Sequence, residues 1–132
     1  IQIVIFLIDQ SQSQKQMQNE KIHIEDIGGE TVKADHRYVV KDNKTLNNLV
    51  VSSTRLKRQQ STSGHSHVGQ EEVYYFVKGS GWIELIDTDG QDHNQNVYQG
   101  DVVLIPDGWF HRVHAGPHDC YFVCVFDGRR QH

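Results

Sequence analysis

Apolar and polar residues alternate along most of this chain with the two-residue period of β-strands, and no segment carries convincing helical periodicity. The pattern predicts strands over residues 21–26, 36–41, 48–57, 72–78, 82–87, 94–98, 102–105, 110–114 and 120–126. Turn chemistry separates them: Gly28-Gly29, Lys41-Asp42-Asn43, Gly79-Ser80-Gly81, Asp89-Gly90, Gln99-Gly100-Asp101, Asp107-Gly108 and Gly116-Pro117. Many short strands at this spacing imply an all-β sandwich or barrel. No internal repeat divides the chain, and its 132 residues suit one domain with one core.

Chemistry concentrates in two segments. The first holds His65-Ser66-His67, then Glu72 and Gly79; the second holds Gly100, Pro106, Gly108 and His111. Histidines one residue apart in an extended chain point to the same side. A carboxylate just beyond and a third histidine from a distant strand complete a donor set for a divalent transition metal: Fe, Mn, Ni, Co, Cu or Zn. With nine histidines in the chain, His-x-His alone is weak, roughly half a pair being expected by chance. The second segment is much rarer, on the order of one in a thousand, since the chain has only two prolines.

Strand alternation then assigns faces. If Glu72 points inward, Tyr74 and Phe76 share its face, while Val73, Tyr75 and Val77 point outward. Three outward apolar residues call for cover by a second sheet or another subunit, which makes a homodimer the expectation. The same alternation puts Val113 inward with His111, and sends Phe110, Arg112 and His114 outward.

These two segments resemble the paired motifs of the cupin family. His65, His67, Glu72 and Gly79 match the first motif, and Gly100, Pro106, Gly108 and His111 the second. The first motif's leading glycine falls at Gln59, and Ala115 replaces the second's closing asparagine. The resemblance spans residues 45–127 and implies a double-stranded β-helix, the jelly-roll β-barrel. Its implied metal ligands, His65, His67, Glu72 and His111, point into the lumen, where a small molecule binds. The stretch from Glu72 to Gly81 is similar to the archaeal-type phosphoglucose isomerases and related sugar-phosphate isomerases. By that likeness Tyr74 contacts substrate in a catalytic role, and Thr54, Arg55 or Lys57 meets a phosphate. Phe76 adds an aromatic lumen contact and Trp109 lies at the pocket rim. That subfamily's longer spacer between histidines and glutamate is absent. The expected function is metal Lewis-acid chemistry on a sugar or sugar phosphate. The alternatives are an iron-dependent dioxygenase and a non-catalytic cupin that binds a small metabolite.

Composition narrows the partners. The formal net charge is −4, and the one basic cluster, Arg55, Lys57 and Arg58, is too small for a nucleic-acid stripe. Cys120 and Cys124 would lie roughly 13 Å apart along one strand, beyond the ~7 Å a disulfide allows. Reduced thiols fit a cytoplasmic protein. Residues 1–18 read as an N-terminal extension, either a strand arm added to a partner's sheet or a non-native leader ending before Met17. Residues 19–132 form the barrel domain. The apolar run of residues 1–8 is far short of the ~20 residues that cross a membrane.

Overall fold

The computed structural model describes residues 19–129. Nine strands run in order: β1 Glu30–Ala34, β2 Tyr38–Asn43, β3 Leu49–Leu56, β4 Glu72–Lys78, β5 Ser80–Ile86, β6 Gln95–Tyr98, β7 Val102–Ile105, β8 Phe110–Ala115 and β9 Cys120–Asp127. A six-stranded sheet has the order β1-β2-β3-β9-β4-β7, and a three-stranded sheet the order β6-β5-β8. Every pairing is antiparallel. The two sheets close on one core that includes Phe76, Ile83, Leu85, Val97, Val113 and Phe122. This is the all-β jelly roll.

Register lays side chains in rows across the large sheet. One inward row runs Asp42, Ser52, Cys124, Tyr74, Val103; the next runs Val40, Thr54, Phe122, Phe76. Both cysteines are free and buried, and burial pushes the Cys120 thiol up to about 11.

Three local expectations change. Residues 21–26 form no named strand: His23 and Asp26 make one isolated bridge, and the segment straps the outer face of the sheet. Its hold is polar, with Tyr121 Oη donating to Ile24 O at 2.7 Å and Lys78 Nζ 2.6 Å from Glu25 Oε1. The strap carries Ile27 onto Val77, Tyr121 and Val123, so Val77 points outward yet is buried by its own chain. The strand expected to start at residue 36 starts at Tyr38, and β1 precedes it. All five residues of β1 are exposed, so no apolar alternation marked it. Residues 1–18, including the expected strand arm, lie outside the described residues.

Gln59 accounts for one departure in the motif. Its φ is +61°, the sole positive value at a non-glycine residue among the described ones. It sits in the turn closed by Gln60 N donating to Lys57 O at 3.1 Å. The motif's glycine belongs here because the left-handed region costs a side-chain-bearing residue roughly 1–2 kcal/mol. Gln59→Gly is therefore expected to stabilise the fold by about 1 kcal/mol, raising Tm by about 4 °C in a thermal melt. An unchanged or lower Tm would show that the turn carries no such strain.

Candidate metal centre

The segment before β4 is extended and lies against β8. His65 and His111 exchange backbone hydrogen bonds in both directions, His65 N to His111 O at 3.2 Å and His111 N to His65 O at 3.0 Å. Thr62 N donates to Val113 O, and Ala115 N to Gln60 O, both at 2.9 Å. Gly64 is needed for the close approach: a Cβ there would overlap the Phe110 ring. A second clamp holds the far end of the loop. Gly108 N donates to His67 O at 3.1 Å, and Asp107 Oδ1 accepts from Gly69 N at 2.6 Å. The turn from Pro106 to Trp109, with Gly108 at φ +80°, makes this possible.

These clamps bring the ring nitrogens of His65, His67 and His111 within 4.8 Å of one another. His65 is exposed, His67 half-buried and His111 buried, so the cluster opens toward solvent on one side. His111 Nδ1 lies 3.2 Å from the Trp109 carbonyl. A ring N–H donated there leaves Nε2 as the inward atom, the arrangement usual for a metal-ligating histidine. That Nε2 is buried without an aligned hydrogen-bond partner, and it sits 2.8 Å from Glu72 Oε2. An imidazole lone pair and a carboxylate oxygen tolerate that approach only with a positive centre, proton or metal, shared between them. The donor set of three imidazoles beside one carboxylate fits a divalent transition metal.

The centre opens on a cavity of about 430 Å³, within the range of small-molecule pockets. His65, Glu72, Tyr74 and His111 line it, as do Ser52, Thr54, Thr62, Ser63 and the charged side chains Lys33, Asp42 and Arg112. Tyr74 meets His111 edge-on at 5.6 Å and stacks on Phe122 at 5.0 Å. Burial, and then the Glu72 charge, hold its phenol well above the ordinary tyrosine range.

Four residues expected at the ligand stand elsewhere. Arg55 faces the opposite side of the sheet, its guanidinium 4.2 Å from the Tyr121 ring centroid and donating to Glu25 O at 2.6 Å. Lys57 is exposed and off the cavity wall. Phe76 is buried in the core beneath Tyr74 and Phe122. Trp109 packs on the core and against His93, and reaches the centre through its backbone carbonyl. His114 lies outside the histidine cluster, bonded to Ser61 Oγ at 2.6 Å and Glu84 Oε1 at 3.0 Å and stacked on Trp82. One residue went unnoticed in the sequence. Gln70, between His67 and Glu72, is buried with both amide atoms lacking a hydrogen-bond partner among the described residues. Only its position inside the first motif could have drawn attention to it.

Comparison with known proteins agrees with the fold. A family model described as Cupin matches residues 15–132. A germin-like protein of Arabidopsis thaliana, subfamily 3 member 4, is 35% identical over 68 residues, covering 52% of this chain and 32% of that protein. Among solved structures, a deletion mutant of Bacillus subtilis oxalate decarboxylase superposes with TM-score 0.74 at 24% identity, over 86% of this chain and 31% of that one. The formate complex of Lactobacillus farciminis oxalate decarboxylase gives TM-score 0.71 at 19% identity, over 84% of this chain and 33% of that one. At these identities the structures share the fold. The chain spans about a third of the length of these relatives.

Removing a donor should empty the centre. Protein produced in metal-replete medium is expected to carry about one transition-metal ion per chain, and His67→Ala or Glu72→Ala to carry close to none. Elemental analysis of all three proteins checks this; an undiminished metal content in both variants would remove these residues from the centre.

Proposed function

The chain belongs to the cupin family, and we propose that its lumen is a metal-dependent site for a small polyhydroxylated metabolite, a sugar or sugar phosphate. One observation carries this reading: the histidine cluster opens onto a cavity lined by four hydroxyl-bearing residues, Ser52, Thr54, Thr62 and Ser63. His65, His67 and His111, with Glu72, would hold one divalent transition metal. Such an ion supplies Lewis acidity toward a carbonyl, the chemistry that aldose–ketose isomerisation needs. The protein's own groups do the rest. The serine and threonine hydroxyls each donate and accept, so they suit a substrate rich in hydroxyls. Tyr74, against His111 and on the cavity wall, is the group we assign to the reacting end of the substrate. A second reading, oxygen-dependent chemistry on ferrous iron, is favoured by the stacked wall of Tyr74 and Phe122, which suits an aromatic substrate.

The same reading pairs the chain with a second copy. Exposed apolar residues sit side by side on the outer face of the large sheet. Leu104, Val73 and Val125 form one row, and Val102 and Tyr75 lie beside it. Leu104 is 70% exposed and Val102 52%, a costly surface to leave in water.

Two measurements test this. Metal-loaded protein should interconvert an aldose phosphate and its ketose phosphate without consuming oxygen, and Tyr74→Phe should lower kcat by about tenfold or more. Oxygen uptake coupled to turnover would favour the second reading, and inertness toward sugar phosphates would end the first. Separately, light scattering should give the mass of a dimer for the wild type and of a monomer for Leu104→Asp, since a carboxylate cannot be buried unpaired in an apolar interface. A monomeric wild type would sink the pairing.

A further inference from the structure

The cavity wall carries a lysine that is not among the expected phosphate residues, along with Arg112 and the carboxylates of Asp42 and Glu72. Strand β1 pairs with β2 through an irregular register: Thr31 faces Lys41, but Lys33, two residues on, faces Val40, the immediate neighbour. Val32 is the extra residue of a β-bulge, a device that re-aims side chains. In an unbroken ladder Lys33 would oppose Val39, whose row runs outward through Arg55 and Tyr121. The bulge instead sets it in the inward row of Val40, Thr54 and Phe122, and Lys33 lines the cavity.

There it joins an excess of donors. Lys33 Nζ lies 3.5 Å from Ser63 Oγ, Arg37 Nη2 3.4 Å from the same atom, and Tyr38 Oη 3.3 Å from it. All three distances are at the long limit of hydrogen bonding, and one hydroxyl oxygen has only two lone pairs. Asp35, 3.1 Å away, neutralises Arg37. Among the described residues Lys33 has no carboxylate in ion-pair contact, and its ammonium stands 4.8 Å from the Tyr38 ring centroid. A lysine on an edge strand often serves only to discourage pairing with other chains. That role needs an outward lysine, whereas the bulge turns this one to the cavity.

We propose that Lys33, assisted by the Tyr38 hydroxyl, receives an anionic group, carboxylate or phosphate, of the small molecule that enters the cavity. The proposal rests on the cavity being a ligand pocket, and it gives that ligand a negative charge at the end held by β1 and β2. An anion's oxygens supply the acceptors that Ser63 alone cannot.

The test is titration calorimetry of the full chain at low ionic strength, as purified and again after chelation and dialysis, with inorganic phosphate, succinate and glycerol as probes. At least one anion should bind and glycerol should not. Lys33→Gln should weaken that binding by about tenfold or more, with an unchanged Tm and unchanged metal content, while Lys21→Gln should bind as the wild type. Which anion binds tells carboxylate from phosphate. Equal affinity in Lys33→Gln, or no heat from either anion, overturns the proposal. The chelated protein separates this from the metal reading: Lys33-dependent binding in a chain that never loads metal would sustain the anion site and remove the metal chemistry.

Discussion

The site depends on the backbone exchange between His65 and His111. Two peptide groups from segments 46 residues apart bond each other in both directions, and everything chemical hangs on that register. A slip of one residue in an extended pair turns every side chain to the other face, which would send both imidazoles out of the barrel. The register is therefore pinned on both sides. Thr62 and Gln60 extend the pairing back along β8, and the turn of Pro106, Asp107 and Gly108 grips the loop beyond His67. The two motifs are coupled by these bonds: the second supplies one histidine of the cluster and also the turn that holds the first motif's loop in place.

Holding such a cluster has a cost that the rest of the barrel must offset. Glu72 and His111 are each only 3% exposed, and a buried carboxylate is tolerated when a positive partner stands by it. The cluster sits on β4 and β8, strands whose other inward residues, Tyr74, Phe76 and Val113, are packed in the core. Rigid strands, rather than the loop alone, thus fix two of the four donors. His65 and His67 come from the loop, and that is where the glycine at position 64 and the paired clamps are concentrated. The misfit glutamine of the motif, Gln59, belongs to the turn that feeds this loop.

Strand alternation makes much of this legible in the sequence. Period-two patterning found eight of the nine strands to within a few residues, and it set Tyr74 inward and Val73 and Tyr75 outward. It failed where the outcome is decided by something other than alternation. β1 is exposed throughout, so it carries no apolar signature. Val77 faces outward but is covered by Ile27 from a strap, a long-range contact that no local pattern announces. The likeness to sugar-phosphate isomerases offers Thr54, Arg55 or Lys57 to a phosphate, and Arg55 faces the other side of the sheet. Its neighbour Thr54 took the inward place instead, and the alternation rule, applied strictly, would have excluded Arg55 once Thr54 was accepted.

The bulge in β1 is the most instructive case, because there the rule itself inverts. Residues Thr31, Val32 and Lys33 read as a regular strand would put Lys33 beside Arg55 on the outer face. One extra residue in the ladder moves the ammonium through the sheet to the cavity. The consequence is electrostatic. Held beside Glu72, a divalent ion would retain a single positive charge, and Lys33 would add another on a separate wall of the same cavity, which Asp42 and Arg112 also line. On the proposal that Lys33 receives an anion, two positive centres on one cavity, partly offset by Asp42, would favour a ligand that carries both a metal-seeking oxygen and an anionic end. An uncharged sugar would offer the lysine only neutral hydroxyl acceptors, and a purely apolar ligand would have to desolvate it. On that proposal, the bulge constrains the ligand's charge more tightly than the four motif residues do, since those are common to many chemistries.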